Sequence, residues 1–313
     1  MSRGEWIRQH LLASLAADRK PGFSFTGHFL GTRWPHVGRD GARLTIPAGL
    51  HCTDDHGRVE LAALLMSLDT AMSTATRPYI VPGERLATTY LNARFTGAPF
   101  IGQPIVDSVF EGVSSGDAIG QLLARATAGA DGVAWCHGSA AFVRLPPPPD
   151  ARLMAPLPWQ QEPVAPVGPL DPGQLDARER AIMAMTEAAL AGQSGSDAPT
   201  SFLRRFWGLL PVREGEGACC RMPAGPHTAN RVGHVQGGLL LGLAAETAIA
   251  AVPLHTVLSN ISAWFISPGK GVALKCRSTP IHTGRSFAVV KSEILGEGGA
   301  RVMEAVTAHA TAL

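Results

Sequence analysis

The sequence predicts an α+β fold laid down twice, each copy with one long buried helix wrapped by antiparallel strands. Three observations lead there. The stretch Gly238 to Ala251 is apolar on nearly every side and wants burial all round, and the apolar residues of Leu61 to Thr76 recur at helical spacing. Short strand-like runs flank each of them, an order that suits helices packed on an antiparallel sheet. The third observation is an internal repeat. Ile46-Pro47-Ala48-Gly49 is answered 176 residues later by Met222-Pro223-Ala224-Gly225, with His51 and His227 two residues past each glycine. Leu91-Asn92-Ala93-Arg94-Phe95 is answered 170 residues later by Ile261-Ser262-Ala263-Trp264-Phe265, so the second copy has a loop six residues shorter.

In chain order, residues 4 to 17 have an amphipathic helix pattern. Strand patterns cover Phe23 to Gly31 and Ala42 to Ile46. After the helix at Leu61 they resume at Ala87 to Phe95, Pro104 to Phe110, Ile119 to Ala128 and Gly132 to Val143. Residues 146 to 172 then hold ten of the chain's 24 prolines, four of them consecutive from Pro146, which predicts an extended linker. A helix is expected at Leu175 to Leu190, and strands at Phe202 to Leu210 and Gly217 to Met222. The second long helix follows, then strands at Thr256 to Ile266, Gly271 to Pro280, Ser286 to Leu295 and Arg301 to Ala312. The expected division is residues 1–145 for the first repeat, 146–174 for the linker and 175–313 for the second repeat.

Composition narrows the function classes. Of 313 residues 45% are apolar and 17% charged, and the net charge is +2, with no basic run interleaved with aromatics, so no nucleic-acid partner is expected. The run Gly237 to Leu254 nears membrane-spanning length, but Glu246 lies inside it and Pro253 near its end. A buried helix is expected there, and no membrane partner. The N-terminus lacks a signal-peptide h-region, and the five cysteines are odd in number with no C-x-x-C pair. Together these predict a cytoplasmic protein with reduced thiols. No phosphate loop, Ser-His-Asp set or metal-ligand spacing is present, so neither metal nor cofactor is expected.

The most informative stretch is NRVGHVQGGLLLGLAAETAIAA, Asn230 to Ala251. Gly237 and Gly238 stand where the apolar helix begins. The first N–H groups of a helix have no partner within it, and glycine lets another group approach them. Such a helix start can stabilise developing negative charge.

Asn230, Gly233, Gly237 and Gly238, followed by Trp264-Phe265-Ile266-Ser267-Pro268, resemble the signature of hot-dog-fold acyl-CoA thioesterases, in particular the phenylacetate-pathway and 4-hydroxybenzoyl-CoA thioesterase-like members. The first half resembles the same family more faintly, through Ser67-Leu68-Asp69-Thr70-Ala71 and Thr88 to Phe95. The likeness implies a double hot-dog that hydrolyses acyl-CoA or acyl-carrier thioesters, with room for further homo-oligomerisation. It also exposes departures. Gln236 replaces the motif's His. The family acid, seven residues past the second glycine, falls on Ala245, with Glu246 one step on. In the first half Leu61 and Ala62 replace the glycines and Asp54 the Asn, yet Asp69 keeps the acid and Thr88 the hydroxyl.

These losses are complementary. In the family each site lies between two protomers, one giving the Asn and the helix-start glycine, the other the acid and hydroxyl. If the repeats pair as an intramolecular pseudo-dimer, one site is complete, with Asn230 and Gly237 from the second repeat and Asp69 and Thr88 from the first. Its mate, with Asp54, Leu61, Ala62, Ala245 and Leu258, is dead. The resemblance then gives Asp69 the role of base or nucleophile and Gly237 the oxyanion. Asn230 and Thr88 would orient substrate and water, and Gln236, Gly238 and His234 would contact substrate. A register one residue longer makes Glu246 an alternative acid. Two other functions share the fold, a hydratase or dehydratase and a non-catalytic acyl-CoA binder. The hydratase would need an Asp-His pair, and the local candidate is Asp54-Asp55-His56.

Overall fold

The computed structural model describes residues 1–114, 120–147, 155–162, 168–192 and 201–311. The chain runs α1 (Arg3–Asp18), α2 (Phe25–Phe29), β1 (Arg33–Gly38), β2 (Gly41–Thr45), α3 (Leu61–Thr76), β3 (Arg85–Phe95), β4 (Ile105–Val113), β5 (Leu122–Ala130) and β6 (Val133–Leu145). The same order then recurs as α4 (Ala177–Ala191), α5 (Phe202–Phe206), β7 (Val212–Glu214), β8 (Gly217–Pro223), α6 (Gly237–Ala251), β9 (Thr256–Phe265), β10 (Ala273–Thr283), β11 (Phe287–Leu295) and β12 (Arg301–Thr311).

All twelve strands join one antiparallel sheet, in the order β1-β2-β4-β5-β6-β3-β9-β12-β11-β10-β8-β7. The halves meet at β3 and β9, where Asn92 stands opposite Ser262, its own counterpart in the repeat. The Asn92 amide donates to Ser262 Oγ at 2.9 Å and to the Ile261 carbonyl at 3.1 Å.

The helices α3 and α6 also pack on each other, and small residues set how closely. A Cβ added to Gly238 would lie 2.4 Å from Met66 Cα, and one added to Gly242 would lie 2.7 Å from Ala62 Cβ. These two contacts exchange under the 176-residue offset, so an approximate twofold passes between the helices as it does between the central strands. Thirteen of the sixteen α3 residues and twelve of the fifteen α6 residues are buried. Among the described residues no helix is long and apolar enough to cross a membrane.

Two expected strands are helices instead. Phe23 to Gly31 contains α2 and Phe202 to Leu210 contains α5, each with a serine N-cap, Ser24 and Ser201. Each ends at a glycine with φ +67°, Gly31 and Gly208, followed by the backbone bonds Thr32 N–H to Gly27 C=O and Leu209 N–H to Arg204 C=O. Serine caps and left-handed C-terminal glycines outweigh the aromatic β-propensity of both runs. The edge strands β1 and β7 are additional to the expected set. The expected strand start at Ile119 and end at Ala312, and the linker residues 148–154 and 163–167, lie outside the described residues.

Candidate active site

A cavity of about 770 Å³ opens where α3, β3, the loop 230–236 and the start of α6 converge. Asp69 is its central group. It stands in the middle of α3, buried, and its two oxygens have different partners. Thr88 Oγ1 of β3 donates to Oδ1 at 2.9 Å, and the Gly238 N–H, from the other half of the chain, donates to Oδ2 at 3.0 Å. A register irregularity between Thr88 and Tyr90 in β3 accompanies the Thr88 contact. Burial pushes the Asp69 carboxyl up to about 6, against the hydrogen bonds from Thr88, Gly238 and Gln236 that pull it down.

Asp69 also lies against Gly237, where an added Cβ would come within 2.9 Å of Oδ2. Gly237 is the first residue of α6, so its N–H has no acceptor within the helix. The Gly238 N–H is already shared between Asp69 and Gln236 Oε1, the latter at 2.6 Å. Gln236 is the N-cap of α6; its oxygen also accepts from Leu239, and its amide nitrogen reaches Thr70 Oγ1 at 3.4 Å. Its oxygen is thus committed to the helix cap rather than directed at a ligand. Asn230 Oδ1 accepts the N–H groups of Val232 and His234, closing the loop that leads into α6. Asp54 binds His56 and Arg58 N–H in the same pattern in the first half. The shared side-chain role of Asn230 and Asp54 is therefore to shape a turn. Asn230 and His234 both line the cavity.

Glu246 stands apart from this cavity. It is buried and forms an ion pair with Arg204 of α5 at 2.9 Å. Burial pushes its carboxyl up to about 7, which the charge of Arg204 offsets only in part. Glu60, the N-cap of α3 and the counterpart of Gln236, lies close enough for its charge to act on Glu246 and is itself hydrogen-bonded to Ser201. Where Asp69 meets the Gly238 N–H at the start of α6, Glu246 meets an arginine and a second acid. The Asp54-Asp55-His56 candidate is spent in ion pairs, Asp54 with Arg58 and Asp55 with Arg3, and His56 is exposed.

Other lining residues were not singled out by sequence reasoning. Arg77, Arg85, Arg231 and Lys270 line the cavity, against Asp69 as its one carboxylate among the described residues. Arg77 was within reach of spacing, since Asp69, Ser73 and Arg77 recur every four residues along one face of α3 and its end. Burial, and next the charge of Arg231, pull the Arg77 guanidinium down to about 10. His234 is lowered by burial and then by Lys270 and Arg85. Two basic groups of residues therefore face the cavity, Arg77 with Arg231 and Arg85 with His234 and Lys270. Phe23, Trp34 and Trp159 close another wall, with ring centroids 4.8 Å apart from Phe23 to Trp34 and again from Trp34 to Trp159. Trp159 sits in the segment between the halves and carried no sequence signal. Among the described residues no cluster of His, Cys, Asp or Glu is arranged to hold a metal ion.

Comparison with known proteins accounts for this architecture. Residues 226–313 match the family described as the acyl-CoA thioesterase N-terminal domain. The matched region is similar to an acyl-CoA thioesterase domain, which supports a thioester hydrolase. The fold is similar to the tesB protein of Mycobacterium avium subspecies paratuberculosis, at 13% identity and a TM-score of 0.52, over 90% of this chain and 96% of that one. It is also similar to a conserved hot-dog-fold protein of unknown function from Alicyclobacillus acidocaldarius, at 10% identity and a TM-score of 0.51, over the same shares of each chain. No protein of curated function matches the sequence.

Proposed function

We propose that the two halves are an intramolecular pair of hot-dog units, and that the chain hydrolyses acyl-CoA or acyl-carrier thioesters at one composite site between them. The observation that carries this reading is the contact of Asp69, from the first half, with the start of α6 in the second. The thioester carbonyl sits beside Gly237. Asp69 takes a proton from water as the water oxygen bonds to the carbonyl carbon. The resulting oxyanion is held by the Gly237 N–H, since the Gly238 N–H is already occupied. The C–S bond then breaks, and the leaving thiolate recovers the proton from Asp69, giving an acid and a free thiol. Thr88 holds the carboxylate in place while its lone pairs remain open to the attacking water. Arg85, His234 and Lys270 suit the phosphates of the carrier.

The test is thiol release from a panel of acyl-CoA substrates, run beside loss of enoyl absorbance. Thiol release from wild type and its loss in Asp69→Asn are expected. Enoyl loss without thiol release would assign the site to hydration instead, and binding with neither activity would leave an acyl-CoA binder.

A further inference from the structure

Gln236 touches both sides of the junction between the halves. Its oxygen accepts the Gly238 N–H at 2.6 Å and the Leu239 N–H at 3.3 Å. Two N–H donors at one end of the amide fix that end as the oxygen. The nitrogen is therefore turned to α3, where it reaches Thr70 Oγ1 at 3.4 Å, next to Asp69. The Gly238 N–H also donates to Asp69 Oδ2 at 3.0 Å, so one proton is divided between an amide and a carboxylate. Two ionised acceptors on that N–H would repel each other; an uncharged one beside Asp69 does not.

The other half carries the charged alternative. Glu60 holds the equivalent N-cap of α3, its side chain does not cap the helix, and the buried Glu246 is paired with Arg204 at 2.9 Å. Ser24 and Phe29 align with Ser201 and Phe206, so the counterpart of Arg204 is Gly27, which has no side chain to send toward Asp69. Asp69 is held instead by Thr88, Gly238 and Gln236, all uncharged. The cations Arg77, Arg85, Arg231, His234 and Lys270 line the same cavity but do not belong to that set. Taking Asp69 as the base of the thioester reading above, we propose that Gln236 is the positioning residue of the site: its uncharged amide seats Asp69 against the first turn of α6 and lets that carboxylate ionise with no second acid beside it. Gln236 acts through Asp69 and does not touch the bond that breaks.

The test separates this role from plain helix capping. Gln236→Glu keeps the length and an oxygen for the cap but sets a second carboxylate on the shared N–H. The pH limb of kcat/KM should move up by about one unit or more, a loss of about tenfold at any pH below it, while the plateau above it stays near wild type. Should that variant not fold, Gln236→Thr, which caps through its hydroxyl but does not reach α3, should raise the limb by a smaller step with the melting temperature unchanged. Glu60→Gln, in the other half, should leave the limb where it is. The same midpoint is read without turnover from the carbon NMR shift of the Asp69 carboxyl, in protein labelled at its aspartates, the signal being identified by its absence in Asp69→Asn. A chain that releases no thiol would sink the thioester reading, and the midpoint would still test Gln236. A midpoint unmoved by Gln236→Glu overturns the proposal, as does an equal move in Glu60→Gln. A loss of activity in Gln236→Glu that is the same at every pH also overturns it and leaves Gln236 a helix cap alone.

Discussion

Asp69 is poised by opposing forces. Burial raises its carboxyl to about 6 from 3.8. As the proposed base it must be ionised, so kcat/KM should rise with pH through about 6 and level off above it, a limb that a pH–rate profile would reveal. The same shift works against stability. Between about 3.8 and 6 the folded chain keeps a proton that the unfolded chain has lost, so stability falls as pH rises through that window. Asp69→Asn removes this cost and keeps both contacts, its oxygen accepting from Gly238 and its amide donating to the reoriented Thr88 hydroxyl. It should lower turnover by about 10²–10⁴-fold. It should also raise neutral-pH stability by something on the order of 1–3 kcal/mol, read from thermal melts. Glu246→Gln, outside the cavity, should leave thiol release near wild type. A larger loss of turnover in Glu246→Gln than in Asp69→Asn would move the acid to the second half. The two adjacent glycines should also separate by phenotype. Gly237→Ala places a methyl against the Asp69 carboxylate and should abolish activity while the fold survives. Gly238→Ala drives a methyl into the backbone at Met66 and should cost about 2–4 kcal/mol of stability, measured by chemical denaturation.

At the scale of elements, the sequence was most legible where burial is complete. The helix expected at Leu61 to Thr76 is α3, residue for residue, because its apolar run has no competing interpretation. The inner strands lie within a few residues of their expected positions for the same reason. Phe23 to Gly31 and Phe202 to Leu210 were misread because aromatic residues favour strands on average, whereas one capping serine and one left-handed glycine fix a short helix locally. The Asp69–Gly238 contact was half legible. Complementary losses in the two copies of the motif pointed to the right helices, but which N–H meets the carboxylate depends on the crossing of α3 and α6, which no spacing encodes. Trp159 was illegible, since a proline-rich segment has no periodicity to show which wall it will cover. Trp159→Ala should open that wall and shift the preferred substrate toward bulkier acyl groups, a change that competition among acyl-CoA chain lengths would detect.

On the scale of the molecule, the approximate twofold through α3–α6 and through Asn92–Ser262 makes the unlike chemistry of the two halves visible. One side of the twofold has a carboxylate bonded to the first turn of the opposite helix, and the other has a buried ion pair. Titration with a non-hydrolysable acyl-CoA analogue should accordingly saturate at one equivalent per chain. Two equivalent binding events would show that the Glu246 side also accepts substrate.

The junction of β3 with β9 has a further consequence. Sites built between separate subunits come apart when a solution is diluted below the dissociation constant of the pair. Here the partner strand is tethered to the same chain, and its effective concentration is fixed by the connecting segment rather than by how much protein is present. Specific activity should therefore remain constant down to the lowest concentration at which it can be assayed, and a single molecule, isolated from every other copy, should turn over substrate as fast as one in a crowd.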